Sequence, residues 1–232
     1  FGFGPLMGGF LKDYLGMDVA FYAMGGLTAI AFLLVLVFLP ELTLYRKNPK
    51  NQEPSIKGML KSNLIKGLFS FRFVNALGGG SVSCFLPIFA FDTLKLSSSY
   101  IGILISVQIL LVAFLQAPFG SLADRFNRKN LVILGSLLAS LPLFWMPHVH
   151  NFTELFLAIL ITGFGGALAI PAATAMLVGE GRIYGMGSTM GMFNTSMDLG
   201  MVGGLLLGGL LFDLIGLNSI FYFSGIMGLV GI

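Results

Sequence analysis

Charged side chains are scarce in this sequence. Asp, Glu, Lys and Arg together make up 10% of 232 residues, where a soluble domain carries about 25%. That shortage excludes a water-facing globule and makes the lipid bilayer the solvent. Cysteine is nearly missing as well: Cys84 stands alone in an apolar run, which excludes a disulfide framework and a thiolate metal site. The only histidines, His148 and His150, share one short polar stretch with no third ligand, so no metal and no cofactor are expected. No nucleophile–base constellation appears, so an enzyme is not expected either. The net charge of +3 does not point to nucleic acid, because the basic residues follow loop position. No initiator Met and no secretion signal are visible, and Phe1 opens inside an apolar run, so the chain reads as a piece of a longer one.

What is present is hydrophobicity: 56% apolar residues and a mean hydropathy of +0.92. A crossing needs roughly 20 apolar residues to span ~30 Å of hydrocarbon. On that measure the sequence predicts a partial helix at 1–11, spans near 19–40, 67–91, 99–119, 130–147, 153–178 and 186–211, and a last helix from 218 onward. None alternates with period two, and backbone groups in lipid must be satisfied within their own segment. The expected class is all-α integral membrane. Segments 41–66, 120–130 and 179–185 hold ten of the 13 Lys and Arg residues, which places them in the cytoplasm. The opposite connections hold only Lys12 and Lys95, while Arg72 lies inside a span, near its cytoplasmic end, where snorkelling to the headgroups is expected.

Two stretches 200 residues apart are copies of each other. Residues 4–25 and 204–225 agree at ten of 22 positions, including Asp13 with Asp213, Phe21-Tyr22 with Phe221-Tyr222, and the glycines at 4, 8, 9, 16 and 25. Six spans separate the copies, so both face the same way, as parallel repeats do in a transporter built from two six-helix halves. The resulting division is 1–40 as the end of an N-terminal half, 41–66 as a cytoplasmic linker, and 67–232 as the C-terminal half. Within the linker, Ile56, Met59, Leu60 and Ile65 among lysines suggest either a short helix lying on the inner leaflet or a solvated loop.

The stretch Gly120-Ser121-Leu122-Ala123-Asp124-Arg125-Phe126-Asn127-Arg128-Lys129, on a connection between spans, resembles the loop signature of the major facilitator superfamily. Its one departure is Asn127 where the pattern has a second glycine; asparagine also tolerates a left-handed turn. The residues suit a tight cytoplasmic turn: Gly120 lets helix ends approach, Asp124 can pair with arginine, and Arg125, Arg128 and Lys129 stay at the headgroups. The resemblance implies a charge latch at Gly120, Asp124, Arg125, Arg128 and Lys129 that opens as the transporter changes conformation. Gly4, Pro5, Gly8 and Gly9 are similar to the end of the antiporter signature of that superfamily's drug–proton exchangers. Their copy, Gly200, Gly204, Gly208 and Gly209, following Gly191, has Leu205 in place of the proline. The resemblance implies a twelve-helix fold, of which about eight helices lie here, a monomer when full length, and exchange rather than symport. Gly200, Gly204 and Gly208 by themselves recur every four residues and form a smooth packing stripe.

Polar residues in the spans are the candidates for a substrate and proton cavity. Asp198 stands near mid-membrane, where a charge costs about 2.5–3.5 kcal/mol, with Asn194 one turn away. Two positions separate Asp198 from Gly200, about 200° around a helix, so the carboxylate is expected to point away from the packing stripe. It serves either as a proton or cation site or as a structural partner. Asn75 precedes Gly78-Gly79-Gly80 and Pro87, a pattern that predicts a bend beside a cavity. Gln108 and Gln116 bond either substrate or neighbouring helices. Pro171, near Gly163, Gly165 and Gly166, predicts a gating kink, Glu180 and Arg182 a cytoplasmic gate, and Asp13 and Asp213 caps or anchors. The expected function is proton-coupled efflux of lipophilic drugs or metabolites across the plasma membrane by alternating access, with a small molecule, protons and lipid as partners. The alternative is a proton-coupled uptake symporter for a small metabolite or sugar.

Overall fold

The computed structural model describes residues 2–39, 56–59 and 61–232, and within them every regular element is helical. The helices are α1 (Phe3–Leu15), α2 (Met17–Phe38), α3 (Ile56–Met59), α4 (Asn63–Asp92), α5 (Ser98–Arg125), α6 (Arg128–Trp145), α7 (Phe152–Tyr184), α8 (Met186–Leu214) and α9 (Asn218–Val230). Six segments, α2, α4, α5, α7, α8 and Arg128–His148, are long and apolar enough to cross a membrane. The all-α membrane fold follows the hydrophobic runs closely.

The ends differ from expectation in one systematic way. Apolar-run counting stops α5 at 119 and α7 at 178, yet the helices continue through Arg125 and Tyr184. A helix does not end where the hydrocarbon does, because long charged side chains are good helix formers outside lipid. Polar residues cap the starts instead. Asn127 Oδ1 accepts the Lys129 N–H at 3.0 Å to open α6. Asn151 Oδ1 accepts the Glu154 N–H at 2.9 Å to open α7, while Glu154 accepts the His150 N–H at 2.8 Å, a reciprocal cap. Gly16 and Gly216, equivalent in the repeat, both have positive φ (91° and 112°), a backbone state that glycine alone adopts without strain.

Around the bundle α8 packs on α4, α4 on α9, α9 on α6, α6 on α7, α7 on α5, and α5 on α1. Neighbouring α4 and α5 scarcely touch, which leaves a cleft between them. The α4–α8 seam is the closest: a side chain on Gly200 would run into the Phe73 carbonyl, on Gly204 into the Leu77 carbonyl, and on Gly208 into the Phe85 ring. Ser81 clamps the seam by donating its hydroxyl proton to the Gly204 carbonyl at 2.6 Å. In contrast, α2 packs chiefly on α1 and has none of its span buried.

Several local expectations are corrected. Helix α4 runs unbroken through Gly78–Gly80. The glycines also carry packing: Gly78 lies on the Ser224 backbone of α9 and Gly80 on the Met201 backbone of α8, so bare faces on two sides let three helices close up. Met59 and Ile65 are fully buried, with the Thr189 hydroxyl 3.2 Å from the Met59 sulfur. The end of 41–66 is thus tucked beneath α8 instead of lying on the leaflet. The rest of the linker reading, including Arg46, Lys47, Lys50 and Leu60, and the ends of the 1–40 unit at Phe1 and Pro40, fall outside the described residues.

Candidate functional site

The cleft between α4 and α5 leads to an inner cavity of about 240 Å³, walled by α4, α5, α6, α7 and α9. The structure brings Asn75 and Gln108 together in its lining, beside Gly79 and the hydroxyls of Ser83, Ser140, Thr162 and Ser224. A larger space of about 760 Å³ lies outside it, between α1, α4 and α5. Gly4, Pro5, Gly8 and Gly9 line this vestibule with Pro87, Phe91 and Gly102, and Ile105 and Ile109 border both spaces. The α1 glycines divide their work. Gly9 rests against the Ser98 carbonyl and the Pro5 carbonyl rests against Gly102, whereas Gly4 and Gly8 face open space.

Asp198 and Asn194 lie elsewhere, both exposed on α8 near its middle. Gly200 is buried against α4, so the carboxylate does turn away from the glycine seam, as the 200° separation requires. Asp198 makes no hydrogen bond or ion pair among the described residues, and Arg72 of α4 feels its charge without contact. Arg72 does not snorkel to the headgroups. Its guanidinium is half-buried at the α4–α8 seam, with Nη2 2.7 Å from the Met197 sulfur and Cζ 5.2 Å from the Phe193 ring centroid. Its Nε is buried and unpaired. Sequence reading favoured snorkelling because a lone arginine one turn from a span's end carries no signal of which way it bends.

Gln116 lies in a third place, a groove of about 440 Å³ with Gly120, Asp124, Pro171 and Thr174. The signature residues lining it are helical through Arg125, so the connection is only Phe126-Asn127. Asp124 pairs with Arg128 at 3.3 Å. Arg128 also donates to the Ala123 carbonyl at 3.2 Å and, across to α7, to the Ala175 carbonyl at 3.1 Å. One guanidinium therefore ties together the end of α5, the start of α6 and the flank of α7. Arg125 and Lys129 are exposed beside it. Two assigned roles change: Gly120 faces open space instead of a neighbouring helix, and Asn127 has ordinary extended geometry (φ −64°, ψ 111°) and serves as the α6 cap, not as a left-handed turn.

At the opposite face Asp13 caps α5, accepting the Ser99 N–H at 2.6 Å and the Ser99 hydroxyl at 2.7 Å. The hydroxyl and then the backbone hydrogen bond from Ser99 hold its carboxyl down to about 2. Its copy Asp213 has no such partner among the described residues. Glu180, a predicted gate residue, lies on α7 and accepts the Ser62 hydroxyl at 3.3 Å, joining the cytoplasmic ends of α4 and α7. His148 and His150 are both exposed, near Tyr222 and Glu154 respectively.

Comparison with known proteins places residues 68–232 within the family described as Major Facilitator Superfamily. An uncharacterized MFS-type transporter of Methanocaldococcus jannaschii is 26% identical over 99% of this chain and 60% of its own length. The multi-drug resistance efflux pump PmrA of Streptococcus pneumoniae is 30% identical over 66% of this chain and 40% of its own. The multidrug resistance protein MdtG of Proteus mirabilis is 26% identical over 95% of this chain and 56% of its own. The chain thus spans roughly half the length of these relatives.

Proposed function

The chain belongs to the major facilitator superfamily and is a multi-pass protein of the plasma membrane, and from that premise we propose that it forms the larger part of a twelve-helix transporter exporting lipophilic drugs or metabolites in exchange for protons. Residues 1–40 close the N-terminal half, 41–66 link the halves, and 67–232 form the C-terminal half. The parallel repeat and the start of the family match at residue 68 support this division. Export is supported by two bacterial relatives, a multi-drug resistance efflux pump and a multidrug resistance protein.

The observation that carries the coupling is Asp198. An ionised carboxylate at mid-span costs about 2.5–3.5 kcal/mol, and among the described residues no side-chain donor satisfies it. Protonation removes that cost when the face is closed to water, and ionisation becomes favourable when the face is open. The site therefore binds and releases a proton as the two halves rock, with Asn194 as its neighbour one turn away. The Asp124–Arg128 contact and its tie to α7 hold one arrangement until the cycle breaks it. In cells carrying the full-length protein, Asp198→Asn is expected to lower pH-dependent drug export at least tenfold at unchanged membrane abundance. Unchanged, pH-dependent export removes Asp198 from the mechanism.

A further inference from the structure

The inner cavity holds no ionisable side chain in its lining. Its hydroxyl donors are already committed within their own helices: Ser83 to the Gly79 carbonyl at 2.7 Å, Ser140 to Ser136 at 2.7 Å, Thr162 to Ala158 at 2.9 Å and Ser224 to Ile220 at 2.8 Å. The hydroxyl oxygens remain available only as acceptors. The two side-chain amides, Asn75 and Gln108, have no hydrogen-bond partner among the described residues. Each amide carries an acceptor oxygen and two donor protons, and both side chains are half-buried in the cavity wall with that capacity open to a ligand. The cavity thus presents a small, uncharged hydrogen-bonding surface whose unmet capacity belongs to two residues on the facing helices α4 and α5.

We propose that Asn75 and Gln108 bind the uncharged, hydrogen-bonding end of a lipophilic substrate, and that the apolar body of the same molecule occupies the vestibule across Ile105 and Ile109. This deepens the export reading, on which the word substrate rests. Charge decides what the inner cavity takes: a cation there would lose its hydration with no carboxylate in the lining to replace it, a far larger penalty than burying an amide or carbonyl that finds a partner. Size decides the split between the two spaces. Pockets that take a whole drug-sized molecule measure roughly 300–1,000 Å³, so about 240 Å³ takes only one end. The adjoining 760 Å³, lined by the open faces of Gly4 and Gly8 and by Pro87, Ile88 and Phe91, with the opposite charges of Lys12 and Asp92 also in its wall, takes the rest. The site is separate from Asp198, which lines neither space, so recognition and proton handling fall on different faces of the bundle.

The test is equilibrium binding to the purified full-length protein in lipid nanodiscs, with chloramphenicol and linezolid as uncharged amide-bearing probes and tetraphenylphosphonium as a lipophilic cation. Saturable binding of at least one uncharged probe is expected, with tetraphenylphosphonium displacing it at least tenfold less effectively than the unlabelled probe. Asn75→Ala and Gln108→Ala should each weaken binding roughly three- to tenfold, the scale of one lost hydrogen bond. The conservative Asn75→Gln and Gln108→Asn should recover part of it and keep the proposal testable if an alanine variant fails to fold. Binding of neither uncharged probe, displacement by the cation on equal terms, or affinity unmoved by all four substitutions overturns the proposal. Binding is read without transport, so intact amide-dependent binding in a protein that exports nothing would sink the export reading and leave the site standing.

Discussion

Arg128 is the residue on which the cytoplasmic signature turns, and its partners rank its contributions. The ion pair with Asp124 joins side chains that are 41% and 70% exposed, so screening leaves it about 0–1 kcal/mol. The hydrogen bonds to the Ala123 and Ala175 carbonyls reach helix backbone and join α5 to α7. Arg128→Ala is therefore expected to cost about 1–3 kcal/mol, and Asp124→Asn less than about 1 kcal/mol, read as thermal stability of the solubilised protein. Equal losses would assign the latch to the ion pair instead. Asp13 offers a pH test. Its folded-state value, about 2 against an ordinary 3.8, adds stability that is fully present above 3.8 and fades as pH falls towards 2. Nothing should change across the physiological range. Asp13→Ala should speed hydrogen–deuterium exchange at the Ser99 amide at neutral pH, an acceleration that wild type shows only in acid. The sequence marked both residues through motif and repeat, but their partners Ala175 and Ser99 are backbone or unremarkable serine contacts that leave no pattern.

At the scale of the element, glycines that look alike in the repeat have opposite jobs. Gly204 abuts the Leu77 carbonyl of α4, whereas Gly209 faces open space. Gly204→Ala is expected to push α8 off α4 and cost about 1–3 kcal/mol, while Gly209→Ala should be neutral or stabilise by up to about 1 kcal/mol through helix propensity. Thermal unfolding of the two variants side by side checks this. A four-residue period made the Gly200–Gly208 stripe visible in the sequence, because spacing on a helix is spacing on a face. The same logic could not separate Gly4 and Gly8 from Gly9, since which side meets α5 is set by packing. It also gave Gly78–Gly80 no packing role, because three weak helix formers suit close contact as well as they suit a kink, and burial of Gly78 and Gly80 on two sides supplies what propensity lacks.

For the whole molecule, nearly all of the architecture was legible, because lipid forces every span to be a long apolar helix and the basic residues mark its inner ends. The candidate site was legible only as a set of intramembrane polar residues. The fold sorts that set by face: Asn75 and Gln108 to one cavity, Gln116 to the latch groove, and Asn194 and Asp198 to the open side of α8. Sequence distance carries no such information, which is why five residues expected around one cavity come out as three places. The separation gives the account its central claim, that the proton and the drug travel in opposite directions through different residues of one moving bundle. Full-length protein in liposomes loaded with a lipophilic dye measures this most directly, with the pH gradient imposed first one way and then the other. The account predicts that dye moves against the proton in both cases and that a protonophore stops it; dye moving with the proton, or in the same direction whatever the gradient, would contradict it.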